Sequence, residues 1–173
     1  MGQYFHGSIL AKDKKTVLQW IYSHDYGNGL KLMEHSWRKN PFVGAFERLL
    51  VGNPQIVAWA GDYAEKSEGE ETNIYDRCND TNKIMPLGTV VKKKYIVNHT
   101  TKQFVDKSKV LADKDGYRVH PLPLLTAIGN GKGGGDFYGE DKQGLVGSWA
   151  RNLISVEGKK PKGFTEIIFD LAV

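Results

Sequence analysis

The sequence predicts an α+β fold, a mainly antiparallel sheet carrying two main helices, and three observations lead to it. Paired β-type runs flank short polar turns twice, residues 4–11 and 16–22 in the first half, 89–98 and 103–105 in the second. Each pair is followed by a helical stretch, 41–51 and then 121–128. After each helix comes a strand-like stretch near a tryptophan, Val57-Ala58-Trp59-Ala60 and Gly147-Ser148-Trp149-Ala150. The repeated order reads as an internal duplication of a ββαβ unit. One domain, residues 1–173, would then hold two pseudo-symmetric halves, 1–64 and 89–173, joined by a polar segment 65–88.

Taken in order, the first hairpin turns at Lys12-Asp13-Lys14-Lys15, and residues 30–37 read as either a strand or a helix start. Asn40-Pro41 marks a helix start, with Asn as N-cap and Pro at the first helical position. Phe42, Val43, Phe46, Leu49 and Leu50 share one helical face, and Gly52-Asn53-Pro54 ends it. Residues 55–59 form a short buried strand. The acidic stretch 65–83 reads as a linker-like excursion with a short helix around 74–77. The second helix starts with both prolines, Pro121 and Pro123, in its first turn. Residues 145–156, centred on Trp149, and 164–172 complete the expected strands.

At 173 residues the chain is long enough to bury roughly two-thirds of its unfolded surface without metal or disulfide. Cys78 is the single cysteine, which fits a reducing compartment. There is no signal-peptide pattern at the start and no apolar run near about eighteen residues, so a soluble cytoplasmic protein with no membrane association is expected. Charge is uneven: residues 1–86 carry 10 Lys+Arg against 11 Asp+Glu, and residues 87–173 carry 14 against 9. An excess of +5 in the second half favours an anionic partner, although Lys92-Lys93-Lys94 and Lys159-Lys160 also suit solvated strand ends and turns.

The stretch with the clearest functional character is Gly129-Asn130-Gly131-Lys132-Gly133-Gly134-Gly135-Asp136, five glycines in eight residues. Glycine reaches positive φ and leaves N–H groups uncovered, so such a loop can fold into a nest for an anion, with Lys132 as counter-charge. A long exposed connection between helix and strand accounts for it equally well. Gly129-x-Gly131-x-x-Gly134 matches the dinucleotide fingerprint only in letters, since that motif needs a strand before it and a helix after it. Lys132 is followed by Gly133, so no Walker A motif is present. His24, Asp25, Glu34 and His35, and likewise Asp136, Glu140 and Asp141, lack recognised metal-ligand spacing, and neither a metal nor a cofactor is expected.

Met1-Gly2-Gln3-Tyr4, Gly29-Leu30-Lys31-Leu32-Met33-Glu34, Trp59-Ala60-Gly61-Asp62-Tyr63-Ala64 and the Gly129 to Asp136 run together resemble a family of small uncharacterised bacterial and phage proteins opening with a MGQYY pattern. The resemblance spans most of the chain and brings no activity with it. A phage-like origin implies sequestration or inhibition of a host system. The chain departs from the family where Trp149-Ala150 is followed by Arg151-Asn152 and not by Gly-Asp.

The expected function is a non-catalytic binding protein that captures an anionic partner, a nucleotide-type ligand or a nucleic-acid-bearing complex. Gly129 to Asp136 would supply the site with Tyr138, Trp149 and Arg151; an aromatic beside glycines and a lysine suits base stacking. The alternatives are a small phosphate-ester hydrolase using Asp136 or Asp62 and a protein–protein interaction module, with a host protein as partner.

Overall fold

Period-two alternation sends Phe5, Gly7 and Ile9 of β1 (Phe5–Leu10) to one face and His6, Ser8 and Leu10 to the other, and all six are buried. In the computed structural model, which describes residues 1–171, β1 pairs on one side with β2 (Val17–Ile21) and on the other with β3 (Gln55–Gly61), antiparallel in both cases. Gly7 lies opposite Trp59, where a Cβ would come 2.8 Å from the indole and 2.9 Å from Phe46. Glycine there opens the space in which Trp59 packs.

The sheet runs β2-β1-β3-β7-β4-β5-β8, with β4 (Tyr95–Asn98), β5 (Gln103–Asp106), β7 (Asn152–Glu157) and β8 (Thr165–Glu166); the two-residue β6 (Ala127–Ile128) lies parallel on β3. Every other pairing is antiparallel except β5 with β8. The order β2-β1-β3 in the first half recurs as β5-β4-β7 in the second, and the halves meet at Gln55↔Ile154, Ile56↔Leu153 and Val57↔Asn152. The two tryptophans are not counterparts in this arrangement. Trp59 lies inside β3, whereas Trp149 precedes β7 in a turn.

Helices α1 (Leu32–His35), α2 (Pro41–Leu50) and α3 (Pro121–Leu125) contribute to the main core with Phe5, Ile9, Val57, Trp59, Ile96 and Val156. The Asn40 side chain accepts from the Phe42 and Val43 amides, and Pro41 follows at the first helical position. His120 does the same for Leu122 ahead of Pro121. Between the two helices lies a buried polar cluster: the Glu47 carboxylate accepts from the Lys107 ammonium and from His120 Nε2 at 2.8 Å. Because His120 Nδ1 accepts from Leu122, the ring is neutral with its proton on Nε2. Burial lowers the His120 pKa against the pull of Glu47. Burial alone would raise the Glu47 carboxyl, but His120 and Lys107 hold it below its usual range.

Several expected boundaries move. Residues 89–94 do not pair as the first half of a strand; the Thr89 carbonyl crosses α2 where a Cβ on Gly44 would be only 2.4 Å away, and only Tyr95–Asn98 enters the sheet. The stretch 145–156 is strand only from Asn152, because Gly147 and Arg151 take positive φ and the Gly147 and Trp149 amides bond to α3 carbonyls. Helix α3 stops at Leu125 instead of 128, and its next residues turn into β6. The final strand is Thr165–Glu166, after which Phe169 and Leu171 enter the core; the end of the expected span, 172, lies outside the described residues. The segment 65–88 is not a loose joiner. Its Asn82 and Ile84 bond along Trp20 of β2, Asn79 accepts from the Trp20 indole, and Ile74 and Tyr75 cover the second face of the sheet. An otherwise open sheet edge is thereby protected.

Candidate functional site

The glycine loop is fastened to the start of the chain. Gln3, completely buried, donates from Nε2 to Asp136 Oδ2 at 2.7 Å and to Asn130 Oδ1 at 3.0 Å, and its Oε1 accepts the Asn130 amide at 3.2 Å. Lys132 N–H donates to Asn130 Oδ1, Gly133 N–H to Asp136 Oδ2, Gly134 N–H to the Met1 carbonyl and Asp136 N–H to the Gly133 carbonyl. An anion nest needs such donors turned toward open space. Here five of them are committed within the chain, and the carboxylate at the centre is the loop's own Asp136.

The same packing explains the glycines. A Cβ on Gly133 would sit 2.2 Å from the Gln3 Cβ, one on Gly129 2.7 Å from Gln3 Oε1, and one on Gly135, at φ +84, 2.5 Å from Lys31. Gly131 takes φ +67 in open space, and Gly134 has neither constraint. The run serves close approach to residues 1–3 and 31, which the sequence alone does not reveal because those partners lie far away along the chain.

Of the remaining candidate residues, Tyr138 and Asp62 stay beside the loop, and Trp149 and Arg151 are engaged elsewhere. Lys132 is exposed. Tyr138 is exposed, and its hydroxyl donates to the Gly133 carbonyl. Trp149 is 1% exposed and belongs to the core. The Arg151 guanidinium is taken by Glu70, Ser67 and the Lys14 carbonyl. Asp62 accepts the Tyr4 amide and is close enough to Asp136 to add to the rise in its pKa, which burial causes and the bonds from Gly133 and Gln3 oppose. His35 is buried, its Nδ1 on the Gly29 carbonyl and its Nε2 accepting from Trp59 Nε1. Ser155 accepts from His99 Nε2 at 2.7 Å but donates to Glu157 and is fully buried, so the pair presents no nucleophile to a substrate.

A different surface gathers cations. Where α2 ends, Arg48 and Val51 face the strap Val90 to Lys94, with Tyr95 and Gly158 closing a groove of about 660 Å³. Arg48, Lys92, Lys93 and Lys94 line it, no carboxylate does, and none of the four is in an ion pair among the described residues. Arg48 is steadied by a bond to Thr89 Oγ1 of the same strap. The lysine run is plain in the sequence. Its meeting with Arg48 is not, because it depends on the strap crossing α2 at Gly44.

Comparison of the chain with protein-family models, with curated proteins and with solved structures returned no match.

Proposed function

We propose that the chain is a non-catalytic binding protein that captures an anionic partner, a nucleic acid or a nucleic-acid-bearing complex, along the groove between α2 and the strap at residues 90–94. The observation that carries this reading is the set of four cations, unpaired among the described residues, around one concave surface without a carboxylate. In such a groove positive potential is not cancelled locally, and phosphates gain from displacing counterions. Tyr95, half-buried, places an aromatic side chain at the groove, the residue type on which bases stack. The glycine loop is assigned no phosphate in this reading, because five of its eight amides are bonded within the chain and its own Asp136 carboxylate sits among them.

Fluorescence anisotropy with a labelled single-stranded oligonucleotide tests this directly. The wild type should bind with an affinity that falls linearly on a log–log plot against salt. Combined Arg48→Ala, Lys92→Ala, Lys93→Ala and Lys94→Ala replacement should weaken it by about a hundredfold or more, and each cation withdrawn from a phosphate should also flatten the salt slope by about one. Lys132→Ala should leave binding unchanged. Equal affinity in the quadruple variant would remove the groove from the site, and no binding by the wild type would point to a protein partner instead.

A further inference from the structure

Beneath the glycine loop lies a second cavity, about 280 Å³, lined by Phe5, Leu32, Ala127, Phe137 and Val146 together with Gly129 to Gly131 and Asp136. Its walls are apolar apart from the Asn130 side chain, the loop backbone and one carboxylate. Asp136 is 5% exposed. Its Oδ2 receives Gln3 and Gly133, whereas its Oδ1 is buried with no partner. No lysine or arginine pairs with it among the described residues, and the other charge acting on it is the like charge of Asp62. A buried carboxylate with one oxygen unsatisfied and no counter-charge is costly, and the chain keeps it beside an open volume. Both deficits are met by the same kind of ligand.

We propose that this cavity binds a small organic cation, an ammonium or amidinium on an apolar body, with the Asp136 carboxylate as its counter-ion. The apolar body packs against Phe5, Leu32, Phe137 and Val146, and the N–H donors reach the carboxylate. The volume lies just under the usual range for small-molecule sites, which limits the ligand to about the size of one substituted ring. This site is separate from the cationic groove and stands or falls independently of it.

The probes are benzamidinium and benzylammonium, with benzyl alcohol as the neutral analogue, titrated into the full chain and followed by amide chemical shifts. Saturable shifts at residues 127–137 are expected for both cations, with benzyl alcohol weaker by about tenfold or more, the worth of one charge-assisted hydrogen bond. Asp136→Asn retains an acceptor for Gln3 and Gly133 and removes the carboxylate's charge, so cation binding should be lost. Val146→Trp fills the cavity without touching those bonds and should abolish binding equally, which keeps the test decisive if the first variant does not fold. Absence of saturable shifts in the wild type would overturn the proposal. So would benzyl alcohol binding as well as the cations, or cation binding that survives in either folded variant.

Discussion

Acidification should destabilise this protein well before its carboxylates titrate, because two histidines are folded into sites that admit only the neutral ring. His6 is stacked on Tyr75 at 4.2 Å between ring centres and flanked by Trp20 at 4.3 Å; burial lowers its pKa from 6.5 to about 3. His35 has both nitrogens committed, Nδ1 to Gly29 and Nε2 to the Trp59 indole, and burial lowers its pKa to about 4. In each case the folded pKa is depressed, so the unfolded chain takes up protons first and stability is full above about pH 6.5 and falls below it. At about pH 5 the solution lies about 1.5 units below the unfolded value, worth about 2 kcal/mol for each residue and about 4 kcal/mol for the two. That is a large part of the roughly 5–15 kcal/mol typical of a domain. His120 adds in the same direction. Urea unfolding followed by tryptophan fluorescence at about pH 7.5 and about pH 5 gives the difference. His6→Phe should retain more than half of the acid effect, since His35 and His120 still titrate. Equal stability at the two pH values, or an acid loss in His6→Phe as large as in wild type, would refute the reasoning.

Three other outcomes follow from the packing. Gly133→Ala should cost about 1–3 kcal/mol, because its Cβ meets Gln3 backbone and side chain, while Gly134→Ala, whose Cβ finds ordinary contacts at 3.6 Å, should be nearly neutral; equal thermal shifts would contradict the role given to Gln3. Glu47→Gln keeps the shape but leaves the Lys107 charge buried and unpaired, and should lower the unfolding free energy by about 3–5 kcal/mol in urea, against a loss under about 1 kcal/mol if the cluster is not a unit. The half-buried Cys78 thiol is pushed up to about 12 by desolvation, so a thiol reagent at about pH 8 meets little thiolate and should label the native protein far more slowly than the urea-unfolded chain; equal rates would count against the shift.

What the sequence makes legible is local chemistry. Asn40-Pro41 starts a helix because cap and proline act within one turn, Pro121 and Pro123 fit the first turn of another, and the polar turns at 12–15 and 99–102 join antiparallel strands because few residues are needed to decide it. Together these suffice for an α+β fold with a mainly antiparallel sheet. The failures are at long range. Val90 and Val91 have β-type side chains, yet Gly44 of α2 offers their segment a helix to cross in place of a strand to pair with. Ser148-Trp149-Ala150 resembles Ala58-Trp59-Ala60 in letters, but positive φ at Gly147 and Arg151 breaks the strand on either side of it. The candidate loop is locatable from its glycines. Their purpose is not, because Gln3, Met1 and Lys31 supply the surfaces that demand them.

The bond from Gln3 to Asp136 spans 133 positions. Bringing two points together across so long a chain costs roughly 4 kcal/mol of closure entropy when nothing in between is yet folded, and a few hydrogen bonds do not repay it alone. Once β1, β3 and β7 have paired, the intervening chain is largely fixed and the remaining gap is short. Formation of the loop therefore waits on the sheet, and in folding it comes late. The Asp136 cavity inherits that timing: its loop-side wall is completed only after the sheet that forms its floor, and that wall can open without any strand letting go.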